Sequence, residues 1–169
     1  MNKIKTVIAA GGLGTRLQGF RGNDSTKILL EVDGSPMIIR QIEQLSNWGL
    51  NDFIIITNPS FDKLIKDVTR SYFPEKNISY SIQHEQKGLV DAIVRCEDIL
   101  DGHDFILLLA DEILINPQPQ DMIEKFKKEE LFVVCGVTIR EKIEHIRKTY
   151  AVIYNQEDDR IYRLVEKPR

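Results

Sequence analysis

Cysteine is scarce in this 169-residue chain, and so is any imbalance of charge. The two cysteines, Cys96 and Cys135, lie in apolar stretches with no partner at metal-ligand spacing, which excludes a cysteine-built metal site and predicts two free thiols in the core. Lys and Arg number 23 against 26 Asp and Glu, a net charge of -3, so the chain lacks the basic stripe that broad nucleic-acid binding requires. No apolar run approaches the roughly 20 residues of a membrane-spanning helix. The lysines near the start precede an apolar stretch that ends at Gly11 and Gly12, too short for a secretion signal, and a cytoplasmic protein is expected. His84, His103 and His145 stand in polar or loop-like contexts without ligand spacing and are expected at the surface. Repeats, low-complexity tracts and linkers are absent as well, so residues 1–169 are expected to form a single domain large enough for its own core.

What is present is an alternation of strand and helix. The apolar start of "VIAAGGLGTRLQG" (7–19) reads as a first strand running into a glycine-rich turn. In "GSPMIIRQIEQLSNWGL", Ser35 is a candidate cap, Pro36 suits the first helical position, Ile38, Ile42 and Leu45 recur at helical spacing, and Gly49 stops the helix. "FIIIT" (53–57) is the wholly apolar run of a parallel strand covered on both faces. Helical spacing returns at Leu64, Ile65 and Val68. "ISYSIQ" (78–83) alternates like a strand, and a third helix puts Leu89, Ala92, Ile93 and Cys96 on one side. "FILLLAD" (105–111) is the clearest central strand, 119–130 an amphipathic helix, and "LFVVCGVTI" (131–139) a further strand. The end, "YAVIYNQEDDRIYRLVEKPR", reads as two strands joined by a polar turn, a hairpin at one edge of the sheet. This order predicts an α/β fold with a mainly parallel, three-layer sheet, which binds ligands beyond the carboxyl ends of its strands.

Backbone N–H groups can approach a polyphosphate closely only where no Cβ intervenes, so "GGLGTR" offers successive amides, the Thr15 hydroxyl and the forked Arg16 guanidinium to phosphate oxygens. It is neither a GxxxxGK[ST] loop nor a GxGxxG dinucleotide turn. Asp111 ends the most apolar strand, where a charge is out of place unless it faces a cleft or a metal. One aspartate with two phosphates is a common way to hold Mg²⁺, and Asp111 is assigned to that ion.

"AAGGLGTRL", Lys27 followed by "ILLEVDGSPMI", "QHEQKGL", "LLLAD" and "VEKPR" come in an order that resembles the sugar-phosphate nucleotidyltransferases over nearly the whole chain. The resemblance implies a Rossmann-like fold and transfer of a nucleotidyl group from an NTP to a sugar 1-phosphate. Gly11, Gly12, Gly14, Thr15 and Arg16 would hold the triphosphate, with Arg16 on the departing pyrophosphate and Lys27 at the α-phosphate. Gln83 and Gly88 resemble the family's base-reading pair, and a glutamine amide matches the edge of uracil or thymine, which favours UTP or dTTP. Glu166 and Lys167 match residues that contact the sugar and its phosphate, and Tyr150 and Ala151 resemble a Tyr-Gly pair lining the sugar pocket. The partners implied are an NTP and a sugar 1-phosphate, with neither nucleic acid nor membrane; a homo-oligomer stays open.

The chain departs from the pattern in places. Thr26 stands where the family has proline, the loop before Lys27 is longer, and Arg21 is a substitute cation within it; Glu112 stands where the family more often has asparagine. Family members usually continue past the EKP motif and supply a second metal-binding aspartate there, so a truncated or naturally short chain with weak turnover is expected. Two alternatives follow: a nucleotide-binding module without efficient catalysis, and a transferase for a non-sugar phosphate such as phosphocholine.

Overall fold

The structure, a computed structural model, describes residues 4–12, 26–115, 119–137, 142–147, 149–166 and 168. A first compact unit, Met1–Pro119, contains β1 (Lys5–Ala9), a 3-10 turn (Lys27–Leu29), β2 (Glu31–Val32), β3 (Ser35–Pro36), α1 (Met37–Asn47), β4 (Asp52–Thr57), α2 (Asp62–Tyr72), β5 (Asn77–Ile82), α3 (Leu89–Val94), α4 (Glu97–Leu100) and β6 (Phe105–Leu109). A second unit, Gln120–Arg169, takes most of α5 (Pro119–Lys128), then α6 (Ile143–Ile146), β7 (Tyr150–Tyr154) and β8 (Ile161–Glu166).

Four strands pair in parallel in the order β5-β4-β1-β6, and Ile8 of β1 stands opposite Ile55 on one side and Leu108 on the other. Alternation along β5 shows both faces covered. The Tyr80 hydroxyl shares a 2.7 Å hydrogen bond with Thr69 of α2, whereas Ser81, pointing the other way, donates to the Arg95 carbonyl after α3 at 2.9 Å. On that second face Val7, Ile54, Ile56, Ala92, Cys96 and Leu100 form one buried cluster, while α1 packs beside α2. The expected three-layer parallel fold is therefore the observed one. The chain leaves β1 toward β4 and β5 and then crosses back to β6 on the far side, so strand order reverses between β1 and β6. The carboxyl ends of those two strands bound the crevice where open sheets bind ligands.

Helix α1 ends at Gly49, as its sequence predicts. Gly49 has φ +83°, its N–H bonds the Ser46 carbonyl and the Leu50 N–H bonds that of Leu45, which is a Schellman ending with Leu45 and Leu50 both buried. The start of α1 differs from expectation. Ser35 makes no cap and Pro36 precedes the helix; the two residues pair with Val32 and Glu31 as strand β3. The cause is Asp33-Gly34, at φ +54° and +78°, a two-residue hairpin turn of the type that Asp-Gly favours.

Four further expectations are corrected. The third helix is two: Cys96 leaves the helical region at φ -100°, ψ 2°, its N–H bonding Ile93 three residues back, so α3 and α4 separate there. Among the described residues strand β6 is not central but stands at the end of the sheet order, with Phe105 exposed. Residues 131–137 form no strand, and 138–139 lie outside the described residues. Strand preference is realised by packing against a neighbour, and Phe132, Val133 and Val137 are exposed. Cys135, expected in the core, is exposed; Cys96 is buried as predicted.

Within the second unit, β7 and β8 form the expected antiparallel hairpin, with Tyr150 opposite Glu166 and Ala151 opposite Val165. The Asn155 N–H bonds the Arg160 carbonyl at 2.9 Å across the turn, and Asp159 takes φ +58°.

Candidate active site

Each parallel strand of the first unit hands over to a polar residue at its carboxyl end: Gly11 and Gly12 after β1, Asn58 after β4, Gln83 after β5 and Asp111 after β6. The pairing continues just past the strands, where Ala10 donates to Ile56 O at 2.9 Å and Ala110 to Ala9 O at 3.1 Å, so these ends are held side by side.

The two described glycines of the turn serve different needs. A Cβ on Gly11 would lie 3.2 Å from the Thr57 carbonyl oxygen and 3.3 Å from Gln83 Oε1, so Gly11 permits a close approach between strand ends. A Cβ on Gly12 would meet nothing within 4 Å among the described residues, which leaves that backbone open to a ligand. The Gly11 carbonyl accepts hydrogen bonds from Asn58 Nδ2 and Gln86 Nε2, both at 3.0 Å. Asn58 is buried and also uses Oδ1, which accepts from the N–H groups of Ser60 and Phe61 ahead of α2. Sequence reasoning missed Asn58 and Gln86. For Asn58 a signal existed: an Asn-Pro turn directly after an apolar run, comparable to Asp111 after β6.

Gln83, also buried, donates through Nε2 to the Gly88 carbonyl at 2.9 Å and to Asp91 Oδ2 at 3.0 Å. The expected pair Gln83 and Gly88 is thus brought together, with both amide hydrogens spent on the protein. The Gln83 hydrogen bond, followed by the Arg95 and Lys87 charges, holds the Asp91 carboxyl below its ordinary range against desolvation that raises it.

Lys27 opens the 3-10 turn anchored by buried Ile28, and its ammonium group pairs with Asp111 Oδ2. Two residues of opposite charge, one expected at the α-phosphate and the other on Mg²⁺, therefore meet at the β1–β6 switch point. Glu112 follows, its carboxyl raised above its ordinary value by desolvation and then by the Asp111 charge. No group of three or more metal-ligating side chains exists among the described residues. The donor set still fits Mg²⁺ of the kind that keeps water and takes phosphate oxygens: Asp111 supplies the carboxylate, and Lys27 shows that the position already attracts a cation.

Gly14, Thr15, Arg16, Arg21 and Lys167 lie outside the described residues. In the second unit, the hairpin register sets Tyr150 directly across from Glu166, with Ala151 next along, so three residues expected around the sugar share one end of one hairpin. His84 is exposed and His103 half-buried, its Nδ1 2.9 Å from the Leu100 carbonyl oxygen. Among the described residues no helix is long and apolar enough to cross a membrane.

The chain is 29% identical to a UTP–glucose-1-phosphate uridylyltransferase of Haloferax volcanii, over 98% of the chain and 65% of the relative. It is 30% identical to a mannose-1-phosphate guanyltransferase of Yarrowia lipolytica, over 98% of the chain and 45% of the relative. A solved UDP-glucose pyrophosphorylase in complex with UDP-glucose superimposes with a TM-score of 0.76 at 22% identity, over 98% of the chain and 69% of that structure, a likeness of fold. The profile of the nucleotidyl transferase family matches residues 5–169, and the chain belongs to that family.

Proposed function

We propose that this chain binds an NTP across the carboxyl ends of β1, β5 and β6 and transfers its nucleotidyl group to a sugar 1-phosphate, releasing pyrophosphate. The observation that carries this reading is the Lys27–Asp111 pair at the strand-order reversal, where Ala110 N–H meets the Ala9 carbonyl between the ends of β6 and β1.

In the reaction an oxygen of the sugar phosphate attacks the α-phosphorus; that P–O bond forms while the bond to the bridging oxygen of the β-phosphate breaks. Gly11, Gly12, Gly14 and Thr15 bind the triphosphate, and Arg16 takes charge on the departing pyrophosphate. Lys27 offsets the charge that gathers at the α-phosphorus, and Lys167 aims the attacking phosphate. Asp111 would hold Mg²⁺, whose chemistry when bound is neutralisation of phosphate charge. Gln83 Oε1 accepts a ring N–H of the base, the N3–H where the nucleotide is UTP or dTTP, and the Gly88 carbonyl holds the amide that does so, while both amide hydrogens stay with the protein. Tyr150, Ala151 and Glu166 line the sugar. The reading includes a cytoplasmic location.

Pyrophosphate release by the chain with each of UTP, dTTP, GTP and ATP against glucose 1-phosphate, mannose 1-phosphate and phosphocholine tests it. Release with a sugar 1-phosphate and a pyrimidine nucleotide is the expected result. Release with phosphocholine alone, or NTP binding without release from any pair, overturns it.

A further inference from the structure

Two glutamines of α1 have no part in that reading, yet both reach the segment that carries Asp111. Gln41, buried, donates through Nε2 to the Leu109 carbonyl at 3.0 Å and to the Glu112 carbonyl at 2.6 Å. Gln44, three residues on and hence on the same stripe of the helix, donates to the Leu114 carbonyl at 3.0 Å. Leu109 is the last residue of β6 in its ladder with β1, whereas residues 110–115 form no strand or helix, so the Glu112 and Leu114 carbonyls lie beyond that ladder. The amide orientation is unambiguous, because a carbonyl accepts and only the NH₂ end of a glutamine can meet two of them.

Gln41 Oε1 is buried and without a hydrogen-bond partner among the described residues. An orphaned carbonyl is unfavourable, and an apolar side chain of similar length would avoid it. The amide is retained where its two bonds bracket Ala110 and Asp111. The same helix is tied to the other member of the ion pair. It follows within ten residues of the 3-10 turn that begins at Lys27, and its first residue, Met37, donates from its N–H to the Leu30 carbonyl at 3.1 Å. One rigid element thus holds the cation through the chain that leads into it and the carboxylate through its glutamines.

We propose that Gln41, supported by Gln44, is a positioning residue: it fixes the turn after β6 so that the Asp111 carboxylate is presented to Lys27 and to the metal-nucleotide. This rests on the reading of Asp111 as the Mg²⁺ ligand. In metal sites, groups that orient a ligand are commonly worth 10- to 100-fold in affinity.

The test is an electron paramagnetic resonance titration of Mn²⁺ into the full chain with UTP, dTTP or GTP present, for the parent, Gln41→Met, Gln44→Met and Asp111→Asn, with the thermal midpoint of each. Gln41→Met is expected to weaken Mn²⁺ binding about tenfold or more and to leave metal-free nucleotide binding unchanged. Gln44→Met, whose side chain is only half-buried, weakens Mn²⁺ binding less and serves as the readout should Gln41→Met fail to fold. A role in stability alone would lower the thermal midpoint and spare Mn²⁺ affinity. Parent-like Mn²⁺ affinity in the folded glutamine variants, together with its loss in Asp111→Asn, overturns the positioning role alone. Parent-like affinity in Asp111→Asn overturns the metal reading and the positioning role with it.

Discussion

The ammonium of Lys27 rests against the carboxylate of Asp111 across 84 positions of sequence. Both side chains are partly open to solvent, 23% and 45% exposed, so the pair contributes at most about 1 kcal/mol to folding. Its significance is placement: two charged groups share the strand-order reversal of the sheet. Lys27→Ala is therefore expected to lower turnover about 100- to 1000-fold while the thermal midpoint moves by less than about 4 °C. Steady-state pyrophosphate release and calorimetry on one preparation check this, and a large loss of stability with unchanged turnover would contradict it.

Gly11 and Gly12 separate packing from binding. An added methyl at Gly11 presses on the Thr57 carbonyl and Gln83 Oε1, so Gly11→Ala is expected to destabilise the fold by about 1–3 kcal/mol. Gly12→Ala meets no atom of the described residues and is expected to leave stability within about 0.5 kcal/mol while weakening NTP binding. Urea denaturation paired with fluorescent-nucleotide titration distinguishes the two, and equal stability losses would count against the geometry.

Asn58 links the turn after β1 to the start of α2 through three side-chain hydrogen bonds. Asn58→Leu retains volume and loses all three, leaving backbone groups of a buried site short of partners. A loss of about 2 kcal/mol or more is expected in urea denaturation, and a midpoint equal to that of the parent would refute the role.

The Gln83–Asp91 contact predicts a pH dependence of definite sign. The carboxyl of Asp91 is depressed in the folded chain, first by the Gln83 hydrogen bond, so its contribution is complete above the ordinary value of 3.8 and is lost as pH falls through the lower folded value. Side-chain amide resonances of Gln83 are expected to stay constant from pH 7 to about pH 4 and to shift only in stronger acid. A transition near pH 6 would contradict this.

Several parts of the site were legible because they are local. A leucine-rich strand ending at a carboxylate, or a glycine turn after an apolar run, carries its meaning in consecutive residues, and Asp111 and Gly12 stand at the carboxyl ends of β6 and β1. The Asp33-Gly34 hairpin was equally local, and the cap expected at Ser35 failed because the turn that precedes it won that backbone for a strand. Asn58 carried such a local signal in the Asn-Pro turn after its strand, whereas Gln86 and Gln41 had none, since each acts on a carbonyl 75 or 68 to 71 positions away.

From its sequence alone this protein's alternation of apolar runs and helical stripes was determined, and with it a parallel sheet whose polar residues collect at the strand ends, because periodicity and turn chemistry are properties of neighbouring residues. Tertiary structure alone decided that β6 ends the sheet order, that Lys27 meets Asp111, and that buried amides hold the turns on which they stand. Those outcomes depend on which distant backbone groups remain without a partner once the strands have paired, and only the assembled chain answers that.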